Sequence, residues 1–174
     1  MTNLLITGLP RSGKTTLVKK LLEEDILKNQ AGGFLTEELR EESERIGFII
    51  ITIPEGRTDF LAKKGYFSPF RVGRYGVNIE ALERLGCESI TEALHAENII
   101  VVDEIGKMEL FSKRFRDVLL EALNSPQKVL ATIMERPNPF SDRIKKRSDV
   151  KIFHLSRENF WHVFKEVKKW ITIP

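Results

Sequence analysis

The chain is 174 residues long, 41% hydrophobic and 30% charged, with 28 Lys and Arg against 25 Asp and Glu for a net charge of +3. That balance fits one globular domain spanning 1–174, and no apolar run approaches the ~20 residues of a membrane span. The lone cysteine, Cys87, excludes an intramolecular disulfide and, with no Cys/His cluster beside it, a zinc site.

Leu4-Leu5-Ile6-Thr7 is a short apolar run of the kind that makes a fully buried parallel strand. Only Met1-Thr2-Asn3 precede it, which leaves no room for a signal peptide and sets the expectation of a cytoplasmic protein. Gly8-Leu9-Pro10-Arg11-Ser12-Gly13-Lys14-Thr15 follows and fills the pattern G-x-x-x-x-G-K-[ST] of a phosphate-binding loop. From Thr16 the spacing of Leu17, Leu21, Leu22 and Leu27 predicts a helix to about Lys28, with Glu23-Glu24-Asp25 on its solvated side. Strand, Gly-rich turn and helix in succession are the context this motif needs.

The residue types match the chemistry. Gly8 and Gly13 let the backbone turn and approach closely, so that N–H groups along Leu9, Pro10, Arg11, Ser12 and Thr16 surround a β-phosphate. Proline alone among these contributes no N–H. Lys14 supplies a mobile cation to the β- and γ-phosphates, Thr15 offers a hydroxyl to Mg²⁺, and the helix presents its positive end.

Ala31-Gly32-Gly33 reads as the end of that unit. Phe34-Leu35-Thr36 and the run 45–53 read as strands joined through Glu41-Glu42-Ser43-Glu44, an antiparallel hairpin extending the sheet edge. A short strand is expected in the polar, Gly-punctuated segment that runs from there to Pro69. Residues 70–78 mix aromatics with Arg71 and Arg74, either a stacking surface for a base or nucleic-acid strand, or an edge strand with solvated arginines. Asn78 is suited to cap a helix over 79–85 that Gly86 stops, and a second short helix is expected over 89–96.

Asn98-Ile99-Ile100-Val101-Val102-Asp103-Glu104 is the second informative stretch. Its β-branched run predicts a strand buried on both faces, with two carboxylates where it emerges. After a phosphate loop this is the Walker B position, where Asp103 holds the Mg²⁺ shell. Successive strand residues point to opposite sides, so Glu104 is placed to reach a water in line with the γ-phosphorus, and Gly106 lets the backbone approach the same site. A helix follows over about 109–122, ended by Asn124-Ser125-Pro126.

Residues 128–133 read as another buried strand, in which Thr132 either senses the γ-phosphate or is a satisfied core threonine. The Pro-stiffened loop 135–140 carries Arg136, either an arginine finger or a solvated residue of a basic segment. A last strand over 150–156 leads through Ser156-Arg157-Glu158-Asn159 to a helix over 158–170, its apolar side formed by Phe160, Trp161, Phe164, Val167 and Trp170. Arg157 and Asn159 stand at a strand C-terminal end, where open α/β sheets bind ligands, and are candidates to touch the base.

With both motifs placed, the chain resembles the nucleoside-triphosphatases known as cancer-related or thermostable NTPases. The resemblance covers nearly the whole length: residues 8–16, Gly33-Phe34-Leu35-Thr36-Glu37-Glu38-Leu39-Arg40, Arg45-Ile46-Gly47-Phe48, Val72-Gly73-Arg74-Tyr75, and above all 102–110. It implies a three-layer α/β/α, RecA-like P-loop fold, its mainly parallel sheet carrying a strand between the P-loop strand and the Walker B strand. It also implies Mg²⁺-dependent hydrolysis of several nucleoside triphosphates with little base preference. Arg11-Ser12 stand where many members carry another small pair, a departure confined to loop detail.

The first functional expectation is therefore a hydrolase in which Glu104 activates water while Lys14, Mg²⁺ and the loop N–H groups stabilise developing charge. A nucleotide or small-molecule kinase shares the size and the P-loop, but the pair Asp103-Glu104 suits directing water better. A nucleotide-gated RNA- or protein-binding module is the third reading, and net +3 without a like-charge block argues against strong nucleic-acid binding. The chain is expected to act as a monomer, off the membrane.

Overall fold

The structure, a computed structural model, describes residues 3–24, 27, 29–96 and 99–173. In chain order they form β1 (Asn3–Thr7), α1 (Lys14–Glu23), β2 (Ala31–Glu41), β3 (Glu44–Ile53), β4 (Thr58–Lys64), β5 (Arg71–Val72) and β6 (Tyr75–Val77). Then come α2 (Ile79–Ala81), a π-helical stretch (Leu82–Cys87), α3 (Glu88–His95), β7 (Ile99–Ile105) and a 3-10 turn (Glu109–Phe111). The last elements are α4 (Lys113–Asn124), β8 (Val129–Ile133), α5 (Pro139–Lys145), β9 (Val150–His154) and α6 (Phe160–Thr172). The expected helix end at Lys28 and strand start at Asn98 lie outside the described residues.

Among the described residues nine strands form one sheet in the order β5-β6-β4-β3-β2-β7-β8-β1-β9. From β2 to β9 neighbours are parallel, and from β2 to β5 they are antiparallel. The strand β8 thus separates the P-loop strand β1 from β7, as the resemblance implies. Strand alternation splits the apolar residues between two cores. Leu5, Ile100, Val102, Val129 and Ala131 pack with the π-helical stretch, α3 and α4 on one face. Leu4, Ile6, Val101 and Leu130 pack with α1 and α6 on the other, which makes three layers.

Several expectations change. Ala31-Gly32-Gly33 opens β2 instead of ending a unit, because Gly33, at φ 119, lies where a methyl group would overlap the Val101 carbonyl of β7. The hairpin β2–β3 is not an edge either: β4, the short strand expected in the polar segment between Gly56 and Gly65, covers β3, and β6 and β5 continue outward. Arg71 and Arg74 are exposed on that outer edge.

Gly86 does not stop a helix. The chain continues through it as a π-helical turn into α3, and a side chain there would press on Ile50, Leu82 and Phe34, so the glycine provides room against the sheet. The helix expected from Glu109 begins after Ser112, whose hydroxyl accepts from the Phe115 N–H at 3.0 Å as an N-cap. Trp161, expected on the apolar side of α6, is 60% exposed, while Val163 and Ile171 are buried beside Phe164, Val167 and Trp170. Cys87 is buried and its thiol is pushed up to about 12 by burial, so it stays protonated and unreactive.

Candidate functional site

Parallel strands bring their C-terminal ends to one edge of the sheet, where β1, β2, β7, β8 and β9 all open. The loop after β1 turns tightly over residues 8–13. Gly8 (φ 152) and Gly13 (φ 99) take positive φ, as does the non-glycine Arg11 (φ 64). A methyl group at Gly8 would overlap the Leu155 carbonyl, and Phe160 packs against Gly13, so the β9–α6 connection braces the loop from behind. Lys14 opens α1 and folds its Nζ back onto the Gly8 and Leu9 carbonyls, donating at 2.9 and 3.2 Å.

Asp103 is fully buried, and its two oxygens are tied to different elements. Oδ2 accepts from the Thr15 hydroxyl at 2.9 Å and Oδ1 from the Thr132 hydroxyl at 2.5 Å. The Thr36 backbone N–H bonds the same carboxylate. Burial raises the Asp103 pKa, while Thr132, Thr15, Thr36 and the Lys14 charge pull it down. The cluster joins β7, β8, β2 and the first turn of α1 through one carboxylate.

Glu104 follows in β7 across a cis peptide bond and lines the cleft. Burial raises its pKa and Asp103 adds to this, with Lys14 opposing. Beneath it Glu109 is buried, accepting backbone N–H bonds from Gly106 and from its own residue, and burial with the charge of Glu104 pushes its pKa up to about 8. Gly106 is packed between the two carboxylates.

A cleft of about 710 Å³ lies over these groups. One wall is Pro10, Arg11, Gly13, Lys14, Thr15, Thr16 and Lys19; the other is the β2–β3 hairpin, with Thr36, Glu37, Glu38, Arg40, Arg45 and Phe48, and Glu104 sits between. Lys19 and Glu37 pair across it at 2.6 Å. A family model described as NTPase matches residues 3–168.

The chain belongs to this NTPase family. It is 49% identical over 156 residues to nucleoside-triphosphatase THEP1 of Thermotoga maritima, covering 90% of this chain and 87% of that one. The crystal structure of THEP1 from the hyperthermophile Aquifex aeolicus superposes with a TM-score of 0.89 at 37% identity, over 98% of this chain and 99% of that one. The solution structure of a human cancer-related nucleoside triphosphatase gives 0.84 at 33% identity, over 99% and 98%.

In this NTPase the remaining candidates fall into two groups. Thr132 joins the cluster as a donor to Asp103, which satisfies its hydroxyl within the core. Asn159 spends its amide on its own loop, accepting from the Ser156 N–H at 2.8 Å and donating to the His154 carbonyl at 2.8 Å. Arg157 is exposed on that loop. Arg136 is exposed at the C-terminal end of β8, does not line the cleft, and has no hydrogen bond or ion pair among the described residues.

The NTPase site also contains residues that the motifs alone do not point to: the hairpin wall, the Thr36 N–H and Glu109. The resemblance runs 33–40 and 45–48 mark the hairpin without giving a role. A signal was present in the composition of the turn, where a strand pair ending in water carries Arg40 directly opposite Arg45.

Proposed function

We propose that the chain hydrolyses the γ-phosphate of ATP, GTP and other nucleoside triphosphates with Mg²⁺, acting as one monomeric domain in the cytoplasm. Membership of the family makes it a nucleoside-triphosphatase; metal, base range, residues and setting are our reading. The observation that carries the reading is the convergence of Lys14, Thr15 and Asp103 with the cleft-facing carboxylate Glu104.

Backbone N–H groups of residues 8–16 and the N-terminal end of α1 hold the β-phosphate. The Ser12 hydroxyl, buried with no partner among the described residues, is suited to donate to the same anion. Lys14 exchanges the Gly8 and Leu9 carbonyls for the β- and γ-phosphates. The hydroxyl and carboxylate oxygens of Thr15 and Asp103 form a hard donor set of the kind that would hold Mg²⁺. The metal, when bound, neutralises charge on the phosphate oxygens.

Glu104 orients the attacking water and takes its proton. Its raised pKa makes it a better base than an exposed glutamate, and its place in the cleft between the two walls supports this role. Thr132 fixes the rotamer of Asp103. Gly106 provides the space in which Glu104 sits. Arg136 in the loop after β8 and Arg157 in the loop after β9 follow strands that open at the same edge of the sheet, and we assign Arg136 to the phosphates and Arg157 to the base of bound nucleotide. The Asn159 amide is engaged within its own loop and is not free to read a base, which supports broad base range.

Phosphate release from ATP, GTP, CTP and UTP, each with Mg²⁺ and without added acceptor, tests this reading. Release from all four is expected. Release that requires an added hydroxyl or phosphate acceptor would make the protein a kinase.

A further inference from the structure

The hairpin wall poses a physical puzzle. Arg40 and Arg45 are cross-strand partners, and like charges directly opposite each other destabilise a strand pair. One carboxylate holds both: Glu38 Oε2 takes Arg40 Nε and Nη2 at 2.9 and 2.7 Å, and Oε1 takes Arg45 Nη1 at 2.9 Å. Glu37 of the same wall is taken by Lys19 at 2.6 Å, so Glu38 alone, one negative charge, sits between the two guanidinium groups.

The two arginines are not equivalent. Arg40 has its remaining nitrogen on the Ser43 carbonyl at 3.2 Å, so each of its nitrogens is engaged. Arg45 donates from Nε to the Tyr75 hydroxyl at 3.1 Å, and that hydroxyl in turn reaches the Arg45 carbonyl at 3.3 Å. Its guanidinium lies 5.1 Å from the Phe48 ring centre and 5.7 Å from that of Tyr75. Nη2 of Arg45 has no hydrogen bond among the described residues, and the side chain, 32% exposed, lines the cleft that holds Lys14 and Glu104.

A fixed guanidinium with three N–H groups to spare, two of them on Nη2, in a cleft built for a polyanion, suits bidentate recognition of phosphate oxygens. The hairpin is on the right side of the site. β2 pairs with β7 in register at Phe34 and Val102, so the residues after Phe34 flank the end of β7 that carries Asp103 and Glu104. Arg45 lies further out along the same hairpin and lines the cleft that Glu104 also lines, so it faces the space in which a transferring γ-phosphoryl group gathers charge.

We propose that Arg45, held by Glu38 and Tyr75, is a catalytic cation that engages the γ-phosphoryl group from the hairpin wall, while Lys14 engages it from the P-loop. Arg45 then fills in cis the role of an arginine finger, and Tyr75 and Glu38 are its positioning residues. The inference rests on the hydrolase reading above, with Glu104 as the group that directs water.

The test compares the parent with Arg45→Ala, Arg45→Lys, Tyr75→Phe, Arg136→Gln, Glu104→Gln and the outer-edge control Arg71→Gln, using steady-state kinetics, ADP affinity and thermal unfolding. Arg45→Ala should lower kcat by ~10³-fold, the usual worth of such an arginine, with ADP affinity within about threefold of the parent. Lysine should restore only part of the rate, since it lacks the planar fork. Free guanidinium ion at low millimolar concentration should raise the rate of Arg45→Ala, a response that a merely structural role does not give. Tyr75→Phe should lower kcat severalfold at unchanged KM, and Arg71→Gln should match the parent. If Arg45→Ala fails to fold, Arg45→Lys and Tyr75→Phe decide: parental kcat in both overturns the proposal. A kcat for folded Arg45→Ala within about threefold of the parent, with Glu104→Gln inactive, removes Arg45 from the mechanism and leaves the hydrolase reading standing. A larger loss in Arg136→Gln than in Arg45→Ala moves the finger to the loop before α5 and overturns it as well. Parental turnover in Glu104→Gln instead strikes the hydrolase reading itself.

Discussion

Glu109→Gln should make the protein more stable in alkaline solution. Glu109 is 5% exposed, and its carboxyl is pushed from an ordinary 4.5 to about 8, first by burial and then by the charge of Glu104. In this direction the folded state holds a proton that the unfolded state has released, so stability is fully present below about pH 4.5 and is lost as pH rises to about 8. At ~1.4 kcal/mol for each tenfold change in proton affinity, the loss attributable to this carboxyl is roughly 5 kcal/mol. Glutamine keeps the shape and can accept from the same two N–H groups, but carries no charge at any pH. Urea unfolding at intervals from about pH 5 to pH 9 should therefore show the variant gaining on the parent by several kcal/mol, most of it between about pH 6 and pH 8. Taking the difference between the two proteins cancels most of the contribution of Asp103 and Glu104, which titrate in the same direction. Parallel pH profiles for parent and variant would refute the reasoning, because they would mean that Glu109 ionises in the fold as easily as in water.

Other consequences follow from the same geometry. Lys14→Ala should abolish turnover and weaken triphosphate binding, since the cation that opens α1 is gone; undiminished phosphate release would remove the P-loop from the mechanism. Gly33→Ala should cost about 3 kcal/mol or more, lowering Tm on the order of 10 °C, because the added methyl meets the Val101 carbonyl at a positive φ; a Tm equal to the parent's would mean that β2 does not approach β7 as described. ATP and GTP should compete for the site at similar concentrations in a binding assay, and a preference of about a hundredfold or more would show a base-reading contact.

What the sequence discloses about this fold divides along the line between local and distant signals. β1, the P-loop and α1 are contiguous, and each residue type there has a backbone or chemical reason to stand where it does. The same holds for β7, whose Ile99-Ile100-Val101-Val102 run must be covered on both faces and so must end in a central strand carrying Asp103 to the site. Interactions across the sheet leave no such trace. Gly86 has the sequence appearance of a helix stop, and only the nearness of Ile50 and Phe34 reveals that it makes room. Glu109 resembles the acidic first turn of a solvated helix, whereas the fold turns it under Gly106 into the core. Trp161 is placed on an apolar stripe by helical spacing, but the stripe that meets the sheet runs through Val163 and Ile171. The pairing of Arg45 with Glu38, Phe48 and Tyr75 joins three strands, and no spacing within one segment encodes it.

Glu104→Gln examines the central claim most directly, because it deletes the proposed base while keeping size and hydrogen-bonding capacity. Lys14, Thr15, Asp103 and the phosphate loop are untouched in that variant, so affinity for a nonhydrolysable triphosphate analogue with Mg²⁺ should be retained. Single-turnover phosphate release should fall by ~10²- to 10⁴-fold, the usual worth of a positioned general base. Release at the parental rate, with binding intact, would contradict the account and place water activation on another group.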